Sequence, residues 1–231
     1  MAAKRPDGEL DLFSGVFARF AGHPLVLTAS HCLKDAVLAR ILSESKPVAG
    51  TVPRVVAGRG YKDTDALDVM FLELAPEEAD ELAPDSIAEA QLSSEALKVG
   101  DVVCLHGYPS AFARITEGEQ SELTRGGVVF ATEVVGIGEA GGGKPDDIRL
   151  KFDSRFCFDV ETGNMVTPPK AFGMSGCGAF SLGPLREGVL WTPADISLVG
   201  IQSKARHGAE GLLVVQRIEL LLELLRGFYD S

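Results

Sequence analysis

The 231-residue sequence predicts a predominantly β protein, an antiparallel sandwich or barrel, closed by one C-terminal helix. Three observations carry that expectation. Short apolar runs recur with turn signals between them, at Asp101 to His106, Gly127 to Ile137, Ile148 to Phe158, Gly178 to Leu182, Ile196 to Ser203 and Gly211 to Gln216. The 26 glycines and 12 prolines favour many turns over long helices. Sustained helical spacing appears at Arg217 to Phe228, where Ile218, Leu221, Leu222 and Leu225 share a stripe and Gly227 is expected to end the helix.

The first half reads as follows. After the polar stretch Met1 to Gly8, Leu10 to Phe20 and Leu25 to Ala29 are expected to form a hairpin through Ala21-Gly22-His23-Pro24. Cys32 to Leu42 is expected to contain one or two helical turns. Val52 to Val56 is a further strand, followed by a Gly58-Arg59-Gly60 turn and the strand Asp68 to Leu74. Ala75 to Leu97 has no sustained strand pattern, and Pro76 and Pro84 interrupt it. The boundary between two lobes is placed there, giving residues 1–98 and 99–231. Leu220 and Leu224, outside the helical stripe, are expected to complete the packing of that helix on the barrel.

With 45% hydrophobic and 24% charged residues the chain has the balance of a globular protein. Its net charge is −11, and eleven acids against two lysines between Lys62 and Lys98 supply most of it. An acidic chain without a basic stripe argues against nucleic-acid and anionic-membrane partners. No apolar run of secretory length follows Met1, and no stretch is long enough to span a bilayer, so a cytoplasmic location is expected. Cys32, Cys104, Cys157 and Cys177 lack CxxC spacing and point to neither a zinc site nor a disulfide framework. No metal or cofactor is implied.

Two turns carry the candidate chemistry. Gly173-Met174-Ser175-Gly176-Cys177-Gly178 places a serine between small residues, where its hydroxyl is exposed and neighbouring N–H groups are available. Thr28-Ala29-Ser30-His31-Cys32 places an imidazole just after a buried strand. A hydroxyl is a weak nucleophile and needs a base within reach, with an anion to orient that base. Asp68 opens an apolar strand and suits that role; Asp63 and Asp65 are the alternatives, though neither begins such a strand. His23, His106 and His207 read as turn or surface histidines, and Cys177 as a small buried side chain.

Taken together and in order, these pieces resemble the trypsin-like (chymotrypsin-fold) serine proteases, including their intracellular bacterial members. Leu27-Thr28-Ala29-Ser30-His31-Cys32 is similar to the family's Thr-Ala-x-His-Cys, and Asp68-Val69-Met70-Phe71-Leu72 to its Asp-aliphatic-Ala-aliphatic-Leu strand. Gly173-Met174-Ser175-Gly176-Cys177 resembles Gly-Asp-Ser-Gly-Gly, and Val199-Gly200-Ile201-Gln202-Ser203 resembles the strand that pairs with substrate backbone. The resemblance implies two six-stranded antiparallel Greek-key β-barrels with a cleft between them. It implies a cofactor-independent serine endopeptidase acting on proteins or peptides. His31 would be the general acid–base, Asp68 its orienting partner and Ser175 the nucleophile, with the N–H groups of Gly173 and Ser175 as oxyanion hole. Substrate would meet Gln202, Ser203, Lys204 and Ala205, above a pocket near Pro169 and Lys170.

Two departures have consequences. Met174 stands where the family has an Asp that pairs with a newly cleaved N-terminus, so that route of activation is not expected. The half-cystine expected near Val16 is missing, which leaves Cys32 free. No acid lies near the pocket floor, so cleavage after Arg or Lys is disfavoured; an apolar or small side chain is expected, with Lys170 leaving an acidic one open. Met174 also motivates the alternatives: a protein-binding module with little turnover, or a protease ordered by a regulatory partner.

Overall fold

The computed structural model describes residues 2–4, 10–33, 38–40, 68–74, 86–95, 97–110, 113–116, 122–125, 127–139, 144–145, 147–152, 157–160, 162–166, 173–183, 190, 192–206 and 211–230. Among these, the first lobe contributes strands β1 (Ala2–Lys4), β2 (Leu10–Leu12), β3 (Val16–Phe20), β4 (His23–Thr28), β5 (Leu38–Arg40) and β6 (Met70–Glu73). They form two antiparallel sheets, β3-β4-β6 and β2-β1-β5. Along β3 the side chains of Val16, Ala18 and Phe20 are buried and Phe17 and Arg19 less so, the period-two signature of a half-covered strand. The expected hairpin is present, but its turn is confined to Ala21 (φ +49°) and Gly22 (φ +84°), with His23 and Pro24 already in β4. Positive φ at both central residues gives the turn the twist that neighbouring strands need.

Two expectations for this lobe are corrected. Of the run Cys32 to Leu42, the described residues hold the end of a single 3₁₀ turn (Ser30–Cys32) and, where helix was expected, the strand Leu38–Arg40 paired with β1; residues 34–37 and 41–42 lie outside the described residues. Ala2–Lys4, within the stretch Met1 to Gly8 read as polar, is itself a strand, held by ladders to both β2 and β5. Neither segment carries an apolar period; backbone pairing with distant residues decides both. The expected strand Val52 to Val56 and the Gly58–Gly60 turn lie outside the described residues.

The second lobe is a closed barrel. Its strands are β7 (Val102–Gly107), β8 (Ala113–Thr116), β9 (Glu122–Arg125), β10 (Val128–Ile137), β11 (Asp147–Lys151), β12 (Cys157–Asp159), β13 (Gly178–Ser181), β14 (Ser197–Arg206) and β15 (Leu212–Arg217). Six of them close a ring in the order β7-β10-β11-β15-β14-β13, every pairing antiparallel. Closure removes the exposed edges that an open sheet would leave. Val103, Leu105, Val128, Phe130, Ile148 and Val215 fill the interior. The run Ile148 to Phe158, expected as one strand, is two: β11 and β12 share one edge of β10 end to end, at Val134–Ile137 and Val128–Phe130. The β8–β9 hairpin was not foreseen from the sequence.

Helix α1 (Ile218–Tyr229) seals the seam between the lobes rather than packing on the barrel alone. Ile218, Leu221, Leu222 and Leu225 lie in one buried cluster with Val16, Phe20, Leu25 and Phe71 of the first lobe and with Leu198 and Ile201 of β14. Leu224 packs at the margin of this cluster. Gly227 does not end the helix, which runs on to Tyr229 with Asp230 following in αR geometry. The stretch placed at the lobe boundary is a strap from residue 86 onward. Ile87 exchanges backbone hydrogen bonds with Phe17 and Arg19, while Ser93 donates to Leu198.

Candidate active site

His31 is presented by the 3₁₀ turn that ends β4. Ala29 is extended and fully buried, and the Cys32 amide donates back to the Ala29 carbonyl at 3.2 Å, which turns the imidazole out of the lobe. Asp68 lies two residues ahead of β6 and receives three hydrogen bonds from this turn. His31 Nδ1 is 2.7 Å from Asp68 Oδ2, and the His31 amide and the Ser30 hydroxyl donate to Oδ1 at 2.9 and 2.7 Å. The Asp68 amide in turn donates to Gln216 Oε1 at 2.6 Å, so a buried glutamine of β15 fixes the backbone of an acid in the other lobe.

The electrostatics follow from these contacts. Burial alone pushes the Asp68 carboxyl up, but the hydrogen bonds from His31 and Ser30 together hold it below its ordinary value. The Asp68 carboxylate, and then the Cys32 sulfur, push His31 up to about 10. Its Nε2 faces Cys32 Sγ at 3.7 Å, and among the described residues no hydrogen bond joins it to Ser175. Asp63 and Asp65 lie outside the described residues.

Ser175 sits on a tight turn between Gly173 (φ +84°) and Gly176 (φ +85°). Both values favour glycine, and at Gly176 space is also decisive. A Cβ there would lie 2.2 Å from Thr28 Oγ1, 2.3 Å from the Ser14 carbonyl and 3.2 Å from the Ala29 amide. The same closeness brings the serine turn against the segment that carries His31. Gly176→Ala is therefore expected to cost on the order of 3 kcal/mol, from overpacking plus a strained φ. Gly163→Ala, with φ +66° and nothing within 4 Å of its Cβ, is expected to cost only about 1 kcal/mol. Denaturant midpoints of the two variants check the contrast; equal losses would refute it.

Among the described residues neither the Gly173 nor the Ser175 amide donates a hydrogen bond, so both remain able to face an anion. Met174 is buried at 8% exposure with the barrel interior, in the same cluster as Leu105, Phe130 and Cys177. Burial pushes the Cys177 thiol up, which disfavours a thiolate there. All four cysteines are free, and Cys32 shares a buried cluster with Phe13. Behind the turn lies a cavity of about 20 Å³ lined by Phe130, Phe152, Met174, Cys177, Gln202 and Leu213.

The four expected substrate contacts on β14 differ in character. Gln202 is 1% exposed; its backbone is bound to Gly176 and Cys177, and its amide group has no hydrogen-bond partner among the described residues. Ser203 is buried, Lys204 exposed and Ala205 half-buried. β13 pairs with β14 only as far as Ile201, and the loop bonds end at Gln202. Among the described residues, the edge of β14 at Ser203–Ala205 is thus open on that side. Pro169 and Lys170 lie outside the described residues.

Of the other histidines, His23 is no turn residue: it lies in β4, bound to Glu73 Oε1 at 2.8 Å and stacked on Tyr229 at 4.0 Å. His106 lies in β7 beside the Tyr108 ring, and His207 is outside the described residues. Sequence reasoning missed Ser14 and Gln216. For Gln216 a signal was available, an amide side chain directly after the apolar run Leu212 to Val215 on a strand expected to be buried.

A closed antiparallel barrel, a terminal helix in the seam and a His–Asp pair apposed to a serine turn define a trypsin-like architecture. The chain belongs to the trypsin-like peptidase domain family, whose model matches residues 13–164. That match contains His31 and Asp68 and ends before Ser175. Among solved structures, human heparin binding protein is similar at 13% identity, over 100% of this chain and 91% of that one, with a TM-score of 0.53. A mutant of the same human protein gives 15%, 100%, 91% and 0.51. A glutamic acid specific serine protease gives 14% identity over 97% and 95% of the two chains, with a TM-score of 0.48. Among curated proteins no match was found.

Proposed function

We propose that this chain is a serine endopeptidase that works through Ser175, His31 and Asp68 and an acyl-enzyme intermediate. The observation that carries the reading is the 2.7 Å contact of His31 Nδ1 with Asp68 Oδ2, which leaves Nε2 as the proton-accepting nitrogen. With substrate in place, Ser175 Oγ attacks the scissile carbonyl and its proton passes to His31 Nε2. The oxyanion is received by the Gly173 and Ser175 amides, His31 returns the proton to the leaving amine, and water then releases the acyl group by the reverse roles. The resting orientation of His31 Nε2 toward Cys32 Sγ is compatible with a base whose hydrogen bond to the nucleophile forms only on substrate binding. The open edge at Ser203, Lys204 and Ala205 offers main-chain groups to an extended peptide. Pro169 and Lys170 complete the proposed pocket, the first lobe forms a second barrel with Greek-key order, and the protein works in the cytoplasm.

A second reading, a binding module on the same fold, is favoured by one observation: His31 Nε2 faces Cys32 rather than Ser175. Treating the purified chain with a fluorophosphonate and with a peptide library separates the two. The peptidase reading expects one adduct per chain, mapped by mass spectrometry to Ser175, together with peptide cleavage. Absence of both overturns it in favour of the binding module.

A further inference from the structure

Ser14 uses every polar group it has within the site. It lies between β2 and β3, is 1% exposed, and belongs to the first lobe. Its amide donates to the Ser175 carbonyl at 2.9 Å, and its hydroxyl donates to the Gly173 carbonyl at 2.9 Å. The same hydroxyl accepts from the Tyr108 amide at 2.9 Å, and its carbonyl accepts from the Thr28 hydroxyl at 2.8 Å. One residue therefore ties the serine turn, the 107–110 loop and the end of β4 together.

The consequence lies in the orientation of three successive peptides. The Gly173 carbonyl is held by Ser14 Oγ, the Met174 carbonyl by the Cys177 amide at 2.9 Å, and the Ser175 carbonyl by the Ser14 amide. In a planar trans peptide C=O and N–H point in opposite directions. Fixing the Met174 carbonyl thus aims the Ser175 N–H the other way, and fixing the peptides on either side stops that plane from flipping. Met174 adds apolar anchorage: a Cβ on Gly107 would lie 3.0 Å from its Sδ, so the glycine leaves it room. The clamp contains no charged group.

We infer that Ser14 is a positioning residue that holds the Ser175 N–H of the oxyanion turn in its donor-out form, so that the fold itself, and neither a cleaved terminus nor a partner, presets that donor. This rests on the peptidase reading. Its test compares wild type with Ser14→Ala and Ser14→Thr on a peptide substrate. Loosening one oxyanion donor is expected to lower kcat of Ser14→Ala by about 10²-fold. KM is expected to stay within about twofold and the pH midpoint, set by His31, to stay unmoved; Ser14→Thr, which restores the hydroxyl, is expected to recover most of the rate. A folded Ser14→Ala with wild-type kcat overturns the inference, as does a loss that Thr fails to recover. Should the alanine variant not fold, active-site titration of wild type with the fluorophosphonate decides. One equivalent reacting in the purified chain supports the inference. A fraction that rises only when other protein is added overturns it while leaving the peptidase reading intact. No reaction under any condition removes the peptidase reading itself.

Discussion

Ser175→Ala is expected to lower peptide-bond hydrolysis by about 10⁶-fold while leaving the fold in place. The size follows from the chemistry: without Oγ there is no acyl-enzyme, and His31 and Asp68 have no proton to move. What remains is catalysis by bound substrate facing the two amides, and that residue is small. The fold should tolerate the change for a reason visible in the turn. The bonds that shape it are made by the carbonyls of Gly173, Met174 and Ser175, not by the serine hydroxyl. Stability is therefore expected within about 0.5 kcal/mol of wild type by denaturant unfolding. Residues that act as a unit are not additive, so Ser175→Ala combined with His31→Ala should be hardly slower than the single variant. A Ser175→Ala protein that still cleaves peptides at the wild-type rate would remove Ser175 from the mechanism.

The parts of this arrangement that were legible in the sequence are those that depend on neighbours along the chain. The period-two burial of β7 and β10 and the stripe of α1 are written in local side-chain spacing, as are the glycines flanking Ser175. The joins are not. β1, Ala-Ala-Lys, carries no strand pattern of its own and exists because Leu10–Leu12 and Leu38–Arg40 offer it backbone partners. Ser14 reads as an unremarkable small residue before a glycine, and its importance arises from contacts with residues 94 and 159 positions away. Met174 is the instructive case. In the sequence it marked a missing acid; in the fold it is an apolar anchor in the barrel interior.

Asp68→Asn tests the electrostatic half of the site and is expected to lower kcat by about 10⁴-fold. The amide keeps the shape of the carboxylate but offers one acceptor oxygen to three donors: the Ser30 hydroxyl, the His31 amide and His31 Nδ1. If its NH₂ faces Nδ1, the ring must carry its proton on Nε2, the nitrogen needed to accept from Ser175. The pH dependence gives an independent readout. In wild type the Asp68 carboxylate and the Cys32 sulfur push His31 from 6.5 up to about 10, so activity should rise as the medium becomes alkaline and the ring loses its proton. The midpoint is expected above neutrality, and in Asp68→Asn the residual activity should titrate at lower pH. Stability should follow the same linkage. The raised His31 value favours the folded state fully below 6.5, and that gain is lost as pH climbs toward 10. The lowered Asp68 value favours it above 3.8, and that gain is lost as pH falls through the folded value. The stability gap between wild type and Asp68→Asn should therefore be widest between 3.8 and 6.5 and should narrow on both sides. A gap that is flat with pH, or an activity midpoint that the substitution does not move, would mean that His31 and Asp68 are not coupled in the way their 2.7 Å contact requires.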